Sequence, residues 1–133
     1  VMFGFLRKKS GLEKAKENLK NDFGLSISRA PDEESILKAF SNMVSLAGGK
    51  LSDDAQTALL YRVYCMNFLA VSKIMRDGGE KIDIDNLIWI PEVLNRSIDY
   101  SERAKDHILL ESISSNLNQN IERFLASFNI NRG

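Results

Sequence analysis

Apolar positions in this chain recur mainly at intervals of three and four, the spacing that lines one face of an α-helix. Leu12, Ala15, Leu19 and Phe23 form the first stripe. Ser10 and Glu13 stand three apart in front of it as a capping box, and Glu13/Lys16 and Glu17/Lys20 pair on its surface. Gly24 follows, so the pattern predicts a helix over 11–23. Pro31 and the acidic Asp32-Glu33-Glu34 open a second helix over 33–47, which carries Ile36, Leu37, Phe40, Met43, Val44 and Ala47 and stops at Gly48-Gly49. A third, 53–77, starts at Ser52 and ends at Gly78-Gly79. Its apolar residues between Ala58 and Met75 run nearly all the way round, which predicts that this helix is the buried centre.

The last third of the chain holds two stripes. Leu87, Ile90, Leu94 and Ile98 define one helix over 86–98, with Pro91 in its first turn or at a kink. Leu110, Ile113, Leu117, Ile121, Phe124 and Phe128 define another. Extrapolated at about 100° per residue, the two stripes are offset by roughly 140°. A single helix through both would span roughly 65 Å, too long for a domain of this size. Asp99 with Glu102 resembles a capping box and places the restart at a helix over 100–128. The second stripe repeats every eleven residues, close to a straight α-helix, which favours packing within a bundle over a zipper-like dimer. The expected fold is therefore all-α: a compact bundle of four to five helices in one domain, 11–133, preceded by a flexible basic and apolar segment, 1–10.

Composition changes this picture little. With 133 residues, 44% hydrophobic and 27% charged, the chain is long enough and apolar enough to fold around an ordinary core. Its 18 basic and 18 acidic residues cancel, so no nucleic-acid partner is expected. Residues 1–30 contain seven basic and three acidic side chains, a balance of +4, which leaves −4 for the rest. Cys65 stands alone and reads as a small buried hydrophobe. Arg62, Asn67, Ser72 and Lys73 interrupt the longest apolar stretch, which argues against a transmembrane span, and Arg7-Lys8-Lys9 argue against a secretory leader. The expected location is cytoplasmic.

No reaction chemistry assembles from the motifs. Gly48-Gly49-Lys50-Leu51 lacks both the Ser or Thr after Lys and the upstream glycine of a phosphate loop. Asp77, Glu80, Asp83 and Asp85 miss the calcium-loop spacing, so that stretch reads as a turn with capping aspartates. His107 makes an i,i+4 pair with Glu111, which is too few ligands for zinc. The chain is expected to be non-enzymatic and to need no cofactor or metal.

Three surfaces invite contact. Between Glu111 and Glu122 the last helix presents Ser112, Ser114, Ser115, Asn116, Asn118, Gln119 and Asn120 without a charge. Amides and hydroxyls are cheaper to desolvate than Lys or Glu, so Asn116, Gln119 and Asn120 are candidate residues for meeting a protein partner or a second copy. Trp89, at a loop-to-helix junction, is a second candidate anchor and could line a small-molecule pocket. At the amino end Phe3, Phe5, Leu6, Arg7, Lys8 and Lys9 combine apolar bulk with cations, which would suit a weak, reversible contact with an anionic membrane surface at the inner face. The preferred expectation is a helical protein–protein interaction module, with the peripheral membrane protein and the small-molecule binder as alternatives.

Overall fold

The computed structural model describes residues 9–131, which form six α-helices and no strand. They are α1 (Gly11–Phe23), α2 (Glu33–Leu46), α3 (Asp53–Asp77), α4 (Ile90–Arg103), α5 (His107–Ile113) and α6 (Ser115–Ser127), with single 3-10 turns at Ile27–Arg29 and Ile84–Asn86. The first three match the periodicity almost to the residue. Ser10 Oγ accepts the Glu13 N–H at 3.1 Å, and Ser52 Oγ accepts that of Ala55 at 3.3 Å. At the end of α2, Gly48 N–H bonds Ser45 O and Gly49 N–H bonds Val44 O, both at 2.9 Å. Both glycines sit at φ +74°, a left-handed conformation that a side chain would strain.

α3 is the centre, as its pattern predicts. Nine consecutive residues, Thr57 to Cys65, are buried, so for more than two turns this helix has no solvent face. α1, α2, α4 and α6 all pack against it. α3 is long and apolar enough by length and composition to cross a membrane. Much of its apolar surface, however, is already covered by these neighbours.

Polar clasps fix the neighbours' register. Tyr61 and Tyr100 hydroxyls donate to one oxygen, Asp22 Oδ2, at 2.6 and 2.9 Å, tying α1 and α4 to α3. Burial, then the Asp22 carboxylate, pushes both phenols above their ordinary range, so both stay neutral donors. Asp106 accepts from Ser52 N–H at 2.8 Å and from its hydroxyl at 2.5 Å, pinning the α4–α5 link to the start of α3.

The carboxy-terminal third departs from expectation. The helix count is six rather than four to five, and the break falls at Ala104–Asp106 instead of Asp99. α4 runs on because its buried stripe continues through Ser97, Tyr100, Ser101 and Ala104, three of them polar-bearing residues that an aliphatic count passes over. Ile98, expected in that stripe, is 39% exposed. Pro91 sits in the first turn of α4, where its missing N–H costs nothing. The expected helix 100–128 is divided again at Ser114, where φ is −99° and ψ is 7°. The Ser114 hydroxyl donates back to Leu110 O at 2.7 Å, the local bond by which serine perturbs a helix.

Candidate interaction surface

α6 lies on α3 with a different opening on each flank. Its buried side is Ile121, Leu125 and Phe128, with Leu117 and Phe124 half-buried along one edge and Asn118 along the other. On the Leu117 side a groove of about 190 Å³ separates it from α2. Val63, Met66, Asn67 and Ala70 of α3 line this groove, with Ile36, Ala39 and Met43 of α2 against Leu117 of α6. Asn67 does more than line it. Its Oδ1 accepts the Asp32 N–H at 3.0 Å, while the Asp32 carboxylate caps Ser35 N–H at 3.1 Å, so the groove floor also holds the start of α2.

The rim is uncharged along the facing sides of α2 and α6, and the exposed Asp32 carboxylate, hydrogen-bonded to Ser35, marks one end. At about 100° per residue, Asn120 and Asn116 lie about 60° and 100° round from Leu117, on the side away from Asn118. On α2, Ala39, Leu46, Ser35 and Asn42 turn the same way from Ile36, within about 120°. Ser35, Asn42, Asn116 and Asn120 are exposed, and Leu46 is 73% exposed. The first charge on that flank of α6 is Arg123, towards its carboxy end.

On the other flank, a cleft of about 170 Å³ opens over Arg62. The Arg62 residue is 4% exposed, and each guanidinium nitrogen donates to a protein oxygen. Nε reaches Ser97 Oγ at 3.2 Å, one terminal nitrogen reaches Ser114 Oγ at 3.1 Å, and the other reaches Glu111 Oε2 at 2.8 Å. Ser101 adds a hydrogen bond to Glu111 Oε2 at 2.6 Å and Asn118 one to Oε1 at 3.2 Å. Partial burial alone would raise the Glu111 pKa, but hydrogen bonds from Arg62 and Ser101 outweigh it and hold the carboxyl below its ordinary range. One guanidinium thus links α3, α4, α5 and the α5–α6 break.

The structure sorts the residues singled out from sequence. The uncharged run 112–120 is not a single face. Ser114 is buried on Arg62 and Asn118 is half-buried on Glu111, whereas Ser112, Ser115, Asn116, Gln119 and Asn120 are exposed. Asn116 and Asn120 flank the groove, but Gln119 points outward on the ridge between the two openings. Trp89 lines neither opening. Its indole N–H donates to Asn86 O at 2.7 Å, and its half-buried ring packs on Phe68 and Tyr64, with centroids 4.9 and 5.7 Å away. His107 is exposed, with its Nδ1 3.3 Å from Ala104 O, and Glu111, four residues on, is engaged by Arg62. Phe3, Phe5, Leu6, Arg7 and Lys8 lie outside the described residues, while Lys9 is exposed and ion-paired with Glu17.

Two features of this surface were missed by sequence reasoning. Arg62 entered only as an interruption of an apolar run, although an arginine in a helix buried all round must find acceptors, and that was the available signal. The groove had no signal, because it depends on α2 and α6 standing apart on α3. No family model, curated protein or solved structure matches this chain.

Proposed function

We propose that this protein is a non-enzymatic interaction module that takes an amphipathic helix of another protein into the groove between α2 and α6. The observation that carries the proposal is the absence of charge from the groove lining, together with the amide and hydroxyl side chains that flank it. A mostly apolar floor flanked along its length by uncharged polar side chains is the anatomy of a protein contact, and a slot between two helices suits helix-in-groove recognition. Met43 and Met66 supply pliable side chains for the anchor to pack against. The volume suits one large aliphatic anchor, and the uncharged lining favours an incoming face without charge.

The test is quantitative capture by the tagged chain and by Asn116→Arg/Asn120→Arg. The double variant changes only exposed residues and should keep its helical circular dichroism. Its captured partner should fall about tenfold or more, since one lost contact of hot-spot size costs at least ~1.4 kcal/mol. A folded double variant that captures the same partner undiminished contradicts the proposal. Should light scattering show that the captured species is a second copy of this chain, the assignment to another protein fails.

A further inference from the structure

At the Asn67 end of the groove α3 runs on. Ile74 stands eleven residues after Val63 and four after Ala70, so at about 100° per residue it lies within about 40° of both on the surface of α3. It belongs to the row that floors the groove, yet it is 71% exposed, the most exposed large apolar side chain of this helix. The reason is that α2 stops short. Asp32, its cap, is bonded to Asn67, and from there α2 returns towards the start of α3, to which residues 47–52 join it. Past Ala70, α3 therefore continues without α2 beside it.

α6 does continue beside it. Arg62 reaches Ser114 and Arg76 reaches Ser127, separations of 52 and 51 residues, so the two helices run parallel and in step. Leu117 is then level with Met66, and Phe124 with Lys73, one residue before Ile74. Phe124 follows Leu117 by seven residues and about 20° round the helix, so its half-buried ring carries the Leu117 edge up to Ile74. Groove and Ile74 thus form one apolar track. Charge appears only at its far end, where Arg123 is exposed on the groove flank of α6 and makes no ion pair among the described residues. Lys73 and Asp77 pair with each other at 2.6 Å, and Asp32, on the α2 side, is engaged in capping Ser35. The α6 edge of the track is left positive.

We propose that the partner's helix carries two apolar anchors seven residues apart, one entering the groove and one resting on Ile74, with an acidic residue beside the second to meet Arg123; the proposal rests on reading the groove as a helix-docking site. The spacing is set by α3. From Met66 and Asn67 in the groove to Ile74 is seven to eight residues, about 11 Å at a rise of about 1.5 Å each. On a partner helix lying along α3, anchors seven apart span that distance and stay within about 20° of one face. Anchors four apart fall short by about a turn, and anchors eleven apart overshoot by as much. The acid follows from the edge. A helix covering Ile74 and Phe124 brings its α6-side flank to Arg123, which favours a carboxylate there and disfavours a second cation.

The experiment titrates the full chain with three stapled helical peptides on an alanine–glutamine background and follows the Met43, Met66 and Ile74 methyl signals. The first peptide has two leucines seven residues apart, each followed three residues later by glutamate on one flank. The second replaces one leucine by glutamine, and the third replaces both glutamates by lysine. The first should shift all three signals saturably, and the second should bind about fivefold more weakly. Ile74→Gln, a change at an exposed side chain, should weaken the first peptide about fivefold and leave the second nearly unchanged. Arg123→Glu should weaken the glutamate peptide about threefold and strengthen the lysine peptide, as one exposed ion pair does when its sign is exchanged. If Ile74→Gln binds the first peptide undiminished while Met43 and Met66 still shift, the second anchor falls and the groove reading stands. If Arg123→Glu treats the two charged peptides alike, the acidic residue falls and the proposal with it. No Met43 or Met66 shift with any peptide overturns the proposal, and the groove reading falls too if capture ignores Asn116 and Asn120. Shifts of these signals on concentrating the chain alone would put a second copy on the track and overturn the partner's helix as its occupant.

Discussion

Leu59→Ala and Leu60→Ala should each destabilise the protein by about 3 kcal/mol, although the two side chains leave α3 about 100° apart. A helix that buries one stripe tolerates one of two adjacent truncations, because one faces water. Here both leucines are 0% exposed, within a run buried from Ala58 to Cys65. Each truncation removes buried methyl groups and leaves a hole that neighbours on every side can only partly fill. Against a total stability of about 5–15 kcal/mol for a domain of this kind, either change is severe. Urea unfolding followed by circular dichroism measures both. A cost below about 1 kcal/mol for either leucine would mean that α3 has an open face.

The second large effect is an asymmetry between Arg62 and Glu111. Arg62 makes three hydrogen bonds, so a count of contacts would rank its loss as the worse. Burial predicts the reverse. Glu111→Ala strands the charge of Arg62, a residue only 4% exposed, which should cost about 2–3 kcal/mol, at or below the low end for a broken buried pair because the cleft admits water. Arg62→Met keeps the stem and removes the charge. The Glu111 side chain it leaves is 41% exposed and can hydrate, and Ser97 and Ser114 still donate to Leu94 O and Leu110 O. That change should cost about 1 kcal/mol.

Acid provides a check with a definite sign. Because the folded Glu111 pKa lies below its ordinary 4.5, the stability it contributes is complete above that value and is lost as pH falls through the lowered one. Wild type should therefore lose stability below about pH 4.5 more steeply than Glu111→Gln. If Arg62→Met proves more damaging than Glu111→Ala, or if the two acid slopes coincide, the guanidinium is not held chiefly by this carboxylate.

The parts of the fold written in local patterns were legible. Ser10, Ser52 and the glycine pairs mark the ends of α1, α2 and α3 because caps and left-handed stops act within a few residues. Apolar residues placed nearly all the way round marked α3 as central for the same local reason. The α4–α6 boundaries were not legible, because Ser97, Tyr100 and Ser101 are core residues only through distant partners: Arg62 for Ser97, Asp22 for Tyr100, and Glu111 for Ser101. A serine stripe looks like surface until its acceptors and donors are known. Similarly, the run 112–120 showed that charge was missing, but its division into buried Ser114, half-buried Asn118 and groove-flanking Asn116 and Asn120 depends on which helices stand on either side of α6.

The interaction surface is tested most directly by labelling the methionine methyls and the Trp89 indole N–H, then adding the partner obtained by capture. Docking in the groove should shift the Met43 and Met66 methyl signals and leave the indole resonance in place, because Trp89 lies outside the groove lining and its N–H is held by Asn86 O. A shifted indole resonance with both methionine signals unmoved would place the contact at Trp89 and contradict the groove.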